Sequence, residues 1–181
     1  MRPKVKILVF LAVVVVIFGA VKTMYERSLM EYFPIKYRQE IKESSREHDL
    51  SEYLVMAVIN TESGFDKDAH SGIAKGLMQI TDDTAKWIAE KMGIEYYDDM
   101  TYDPETNIKM GCFYLRYLID KYQNTETALA AYNAGMGTVN GWLLEKRYSE
   151  DGVALQNIPY PETEKYVARV QLSKKVYQKV Y

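Results

Sequence analysis

One cysteine and two histidines are all that 181 residues offer to thiol chemistry, soft metals or imidazole catalysis. Cys112 alone closes no internal disulfide, and with His48 and His70 scattered along the chain there is no zinc-site spacing. A cysteine peptidase would need Cys112 as its nucleophile. The stretch KMGCFYLRYL puts that residue in mid-helix, where a buried inert thiol is expected. Acids are missing from the first 22 residues, which carry Arg2, Lys4, Lys6 and Lys22. The remainder holds 19 basic and 25 acidic residues, a formal charge of −6, and such an acidic body without a basic stripe excludes nucleic acid as partner. Sustained period-two alternation is also absent, so the expected fold class is all-α.

What is present begins with Ile7–Val21, an uncharged and mostly apolar run between basic residues. As a helix it spans about 22 Å, short of the ~30 Å hydrocarbon layer. Snorkelling by Lys6 and Lys22 and an interfacial Tyr25 make a span over about Val5–Tyr25 feasible. A cleavable signal peptide is the rival reading. Its small-x-small exit is poor here, because Phe18 stands two before Ala20, and Val21 and Lys22 precede Thr23. The pattern favours an uncleaved transmembrane anchor over residues 1–25, with its basic end inside the cell. A juxtamembrane linker (26–38) and one domain (39–181) on the outer side of the membrane are then expected.

Within that domain the segments read as helices separated by short Gly, Pro and Asp/Asn punctuation. Ser51 is expected to cap a helix through Thr61 or Glu62, with Gly64 ending it. DDTAKWIAEKM is expected to stop near Gly93, and Met78 and Gln79 to enter that helical stretch. DPETNIKMGCFYLRYLIDKY has Asp103 as N-cap and Pro104 at the first helical position. TETALAAYNAG reads as a helix capped by Thr125 and closed by Gly135, and PETEKYVARVQLSKKVYQKV as a last one.

Glu62 is the residue that asks for an explanation. It ends an almost wholly apolar run, YLVMAVIN, and Ile59, Val58 and Val55 precede it by three, four and seven positions. On a helix those residues share its face, so the carboxyl stands at the edge of a buried stripe. Desolvation and the negative end of the helix dipole both favour its neutral form near pH 7, the state a general acid needs. An outward-turned Glu62 paired with Lys67 or Lys75 fits this segment equally well. Downstream, SGIAKGLMQI places Ser71, Gly72, Gly76, Met78 and Gln79 beside it. Glycines let a ligand approach closely, and a glutamine offers sugar hydroxyl and N-acetyl groups a donor and an acceptor.

The ordered set Glu62-Ser63, Gly76-Leu77-Met78-Gln79, Ala131-Tyr132-Asn133-Ala134-Gly135 and Glu162-Thr163-x-x-Tyr166-Val167 resembles the catalytic domain of the soluble-type lytic transglycosylases, relatives of goose-type lysozyme. The likeness covers roughly residues 40–175. It implies a lysozyme-like helical fold and cleavage of the MurNAc–GlcNAc bond in peptidoglycan glycan strands, with no cofactor or metal. It also implies Glu62 as sole acid/base, protonating the leaving oxygen and then accepting the proton of the muramoyl C6 hydroxyl as that oxygen attacks C1. The product is 1,6-anhydro-MurNAc. By the same resemblance Ser71, Met78, Gln79, Tyr132 and Asn133 bind the glycan, and Tyr166 reaches back to the Glu62 carboxyl. Ser63, Gly76 and Glu162 support them. The loop after Ser71 is one residue shorter than is usual in that family.

Two other functions fit much of the same pattern. A muramidase hydrolysing the bond would want a second carboxylate, for which Asp66 and Asp68 are nearest in sequence, although a solvent-facing loop is expected there. A non-catalytic glycan-binding or scaffold module would have no need of Glu62. DKDAHSG from Asp66 begins like a calcium loop but has Ser71 at position six and Leu77 at position twelve. His70 at the cleft rim, and Tyr96, Tyr97 and Tyr102 as stacking rings, are further candidates.

Overall fold

The computed structural model describes residues 3–181, and the side chains of all of these except 4–7 and 9. It divides into two compact units, Met1–Pro34 and Ile35–Tyr181. In the first, helix α1 (Pro3–Tyr32) carries exposed apolar side chains that include Phe10, Val15, Val16 and Phe18. Among the described residues no helix is long and apolar enough to cross a membrane. Arg2 of the expected anchor, and the side chains of Lys4, Val5, Lys6, Ile7 and Val9, lie outside the described residues.

The second unit is mostly helical, as expected. Helices α2 (Arg38–Glu47) and α3 (Glu52–Glu62) lead into a two-stranded antiparallel ribbon, β1 (Ala74–Lys75) and β2 (Ile80–Thr81). Helix α4 (Asp82–Met92) and a 3-10 turn (Met100–Tyr102) follow. Four more helices complete the unit: α5 (Pro104–Tyr122), α6 (Thr125–Ala134), α7 (Met136–Leu143) and α8 (Pro161–Val180). Helix α3 packs chiefly on α8, and α5 on α6 and α2. Leu54 through Ile59 are all buried, so α3 is apolar on every side and runs through the centre. Each such Val or Ile contributes about 1.5–3 kcal/mol relative to exposure.

Local chemistry sets most of the boundaries. The Asp103 carboxylate accepts from Thr106 N at 2.9 Å, and Pro104 opens α5 with no amide to waste. The Thr81 hydroxyl accepts from Thr84 N at 3.2 Å, and left-handed Gly93 ends α4. Two expectations are corrected. The N-cap of α6 is Asn124, whose Oδ1 accepts from Thr127 N at 2.9 Å, and Thr125 is the first helical residue. Met78 and Gln79 do not enter α4. They form the turn of the β ribbon, where Gln79 is left-handed at φ 47°, so α4 starts only after the Thr81 cap.

Candidate active site

Glu62 is the last residue of α3, half-buried, with Val55, Val58 and Ile59 at 0% exposure on its helical face. Removal from water is the largest influence on its carboxyl and pushes its pKa from 4.5 up to about 7. Tyr166 and Arg169, both on α8, oppose that rise. Among the described residues no carboxylate is one of the groups that shift it. The Tyr166 hydroxyl faces Glu62 closely enough to favour its ionised form. The pair stops short of full hydrogen-bonding geometry, and among the described residues this phenol, on a side chain only 2% exposed, has no other hydrogen-bond partner. Burial and the nearby Glu62 hold the Tyr166 phenol far above its ordinary pKa, so it stays protonated.

Ser63 ties the end of α3 to the ribbon, its hydroxyl reaching Leu77 O at 2.8 Å and Ile59 O at 3.2 Å. The turn beyond is braced from behind by Asn107 of α5. Its Oδ1 accepts from Met78 N at 2.8 Å, while its Nδ2 donates to Thr101 O at 2.6 Å and Lys75 O at 3.1 Å. Gly76 has to be glycine twice over: its φ is 74°, and a Cβ there would run into Thr101 O and the Asn107 amide. Met78, expected to bind glycan, is fully buried against Gly111, where no Cβ stands in its way. Its side chain is core, and what it presents is its carbonyl, which accepts from the Tyr132 hydroxyl at 2.9 Å.

Gln79 is spent largely on the loop itself. Its Nε2 donates to Gly76 O at 2.8 Å and Ala69 O at 3.1 Å, and its Oε1 accepts from the exposed Ser71 hydroxyl at 2.8 Å. The short loop therefore still brings Ser71 onto Gln79. Opposite stand Tyr132 and Asn133 from the end of α6. The Asn133 Oδ1 accepts from Thr163 Oγ1 at 2.8 Å, which joins α6 to the first turn of α8. Thr163 makes that link, while its neighbour Glu162 is exposed.

Gln79, Ile80, Thr81, Thr84, Tyr114 and Tyr132–Gly135 line a cleft of about 230 Å³. Gln79, Tyr132 and Asn133 are thus brought together. Glu62 and Ser71 are not on its wall and connect to it through Tyr132, an electrostatic neighbour of Glu62, and through Gln79. A separate cavity of about 290 Å³, lined by Met92, Ile94, Tyr97, Met100 and Met110 among others, contains none of the motif residues.

The weaker candidates fall outside this cluster. Asp66 and Asp68 are exposed: the Asp66 carboxylate accepts from Asp68 N at 3.0 Å, and Asp68 pairs with Lys67. Lys75 pairs with Asp82 and Asp99, so neither lysine holds Glu62. His70 is exposed, Tyr96 lies under Lys86 and Tyr102 under Lys75. Cys112 is buried, its thiol pushed far up by desolvation. Sequence reasoning missed Asn107, Thr163 and Arg169. Thr163 sits inside a motif that was noticed for its neighbours, and Arg169 follows Tyr166 by one helical turn. Asn107 carries no local signal, because its role is to reach across to another element.

The model of the transglycosylase SLT domain matches residues 39–153. The soluble lytic murein transglycosylase of Salmonella typhimurium is 37% identical over 147 residues, covering 78% of this chain and 23% of that protein. A membrane-bound lytic murein transglycosylase C from Serratia proteamaculans is 35% identical over 116 residues, covering 58% of this chain and 32% of that protein. Among solved structures, the lytic transglycosylase Slt of Pseudomonas aeruginosa, determined as an inactive glutamate-to-glutamine mutant, superposes with a TM-score of 0.71. It is 31% identical over 82% of this chain and 25% of that one. The chain thus spans about a quarter of the length of the soluble relatives it matches. It belongs to the transglycosylase SLT domain family.

Proposed function

We propose that this chain is a peptidoglycan lytic transglycosylase cleaving the MurNAc-(β1,4)-GlcNAc bond, with Glu62 as its one acid/base. The observation that carries the reading is a carboxyl held near pKa 7 by burial and joined through Tyr132 to a sugar-sized cleft, with no second carboxylate among the described residues acting on it. Protonated Glu62 gives its proton to the glycosidic oxygen as the C1–O bond breaks. The C6 hydroxyl of the same muramoyl residue then attacks C1 and returns its proton to the Glu62 carboxylate. The ring closes as the 1,6-anhydro product, with proton and oxygen balance complete and no water consumed. Tyr166 is placed to steady the ionised intermediate state of Glu62. Ser71, Gln79, Tyr132 and Asn133 shape the glycan side, and Met78, Ser63 and Gly76 hold that shape from within.

Residues 1–25 are proposed as a membrane anchor, 26–38 as a linker and 39–181 as the catalytic domain on the outer side of the membrane. The uncharged run Ile7–Val21 and the exposed apolar side chains of α1 support this, as does the membrane-bound relative. Digestion of purified peptidoglycan by the native chain, read by mass spectrometry, tests the chemistry. Fragments ending in 1,6-anhydro-MurNAc are expected. Reducing-end MurNAc would mean a muramidase, and an untouched sacculus a binding module.

A further inference from the structure

We propose that Trp87 and Tyr117 form a stacking subsite for one more sugar ring of the glycan strand, a helical turn beyond the cleft described above. The inference rests on the glycan reading of that cleft. Thr84 of α4 forms part of the cleft wall and Tyr114 of α5 lies within it. Three residues further along each helix, on the same faces, come Trp87 and Tyr117. Their rings meet edge to face with centroids 4.9 Å apart, and Trp87 also meets Tyr114 at 5.9 Å. Tyr114 in turn lies 5.4 Å from Tyr132, the cleft residue coupled to Glu62.

A continuous aromatic path therefore leads from the neighbourhood of Glu62, through Tyr114, to a pair at the surface. Tyr117 is 36% exposed and Trp87 half-buried, whereas Tyr114 at 8% is interior. Packing alone would account for Tyr114, whereas Trp87 and Tyr117, one helical turn beyond the cleft wall, keep part of their rings in contact with water. Rings pinned in place by edge-to-face contacts offer flat, pre-ordered surfaces to the C–H face of a pyranose. The exposed Lys91 lies over the Trp87 ring with its Nζ 5.9 Å from the centroid, so that face of the indole is reached from the solvent side. The consequence is preference for longer strands, because only they reach this platform.

Trp142, the second tryptophan of the chain, is 6% exposed against Tyr160, so a Trp142→Phe background leaves Trp87 as the sole tryptophan, which red-edge excitation selects over the tyrosines. The full chain in that background is titrated with β-1,4-linked N-acetylglucosamine trimer and hexamer, which contain no muramoyl residue. The hexamer is expected to shift Trp87 emission saturably and the trimer far less, and Tyr117→Ala to weaken hexamer binding about tenfold. Circular dichroism establishes that the variant is folded. An emission unchanged by hexamer overturns the subsite, as does equal hexamer affinity in folded Tyr117→Ala. The peptidoglycan digest is run in parallel. Release of anhydro fragments without an emission change sinks the subsite alone, and an emission change without release sinks the enzymatic reading alone.

Discussion

Replacing Glu62 by glutamine is expected to make the protein more stable at neutral and alkaline pH, and the gain follows from the site. In the folded chain the carboxyl titrates at about 7 against an ordinary 4.5. Each pH unit of difference is worth about 1.4 kcal/mol, so the folded state is penalised by up to ~3 kcal/mol once the carboxyl is ionised. Water reaches a half-buried group, which makes that value a ceiling. The sign is fixed by proton counts. Below pH 4.5 both states hold the proton and Glu62 has no effect. Between 4.5 and 7 the unfolded chain releases it first, so native stability falls as pH rises, and above 7 the loss is complete. Glutamine matches the shape and cannot ionise. Urea denaturation of both proteins from pH 4 to 8.5 is the assay, and the difference between them cancels every other titrating group. It is expected to be near zero at pH 4 and to grow to about 2–3 kcal/mol in favour of the variant by pH 8. Parallel curves across that range would show that burial does not hold the Glu62 proton.

Four further substitutions probe the surroundings. Tyr166→Phe removes a buried hydroxyl that interacts only with Glu62, whose carboxyl is neutral at pH 5, so stability there is expected to hold or rise by about 1 kcal/mol. The alkaline limb of its pH–activity profile is expected to move upward, since Tyr166 lowers the Glu62 pKa; a clear drop in stability or a downward move would contradict this. Asn107→Ala leaves Met78 N and Thr101 O unpaired in the core and is expected to cost about 3 kcal/mol or more by urea denaturation. Asn124→Ala is expected to cost about 1 kcal/mol and Thr125→Ala only a few tenths, which separates the cap from its neighbour by thermal melting.

The helices and the residue at the end of α3 were legible because their causes are local. Asp103 and Pro104 mark the start of α5 by themselves, and the spacing of Val55, Val58 and Ile59 puts Glu62 on a buried stripe whatever the rest of the chain does. The ribbon was not legible. Its strands are two residues each, too short to alternate, and the turn between them is braced at Gly76 and Met78 by Asn107 and Thr101 from more than twenty residues away. The same distance hid the fate of Met78. Its place in a Gly-rich motif pointed to the cleft, while the open space above Gly111 draws its side chain into the core. Asn124 and Thr125 show the limit of cap signals: both residue types suit the position, and only the backbone decides between them.

The central claim is that Glu62 performs the chemistry. Release of soluble glycan fragments from purified sacculi by the native chain and by Glu62→Gln, with both shown to be folded, tests it most directly. The account predicts release by the native chain and a loss of at least about 10²-fold in the variant. Equal release by the two would contradict it.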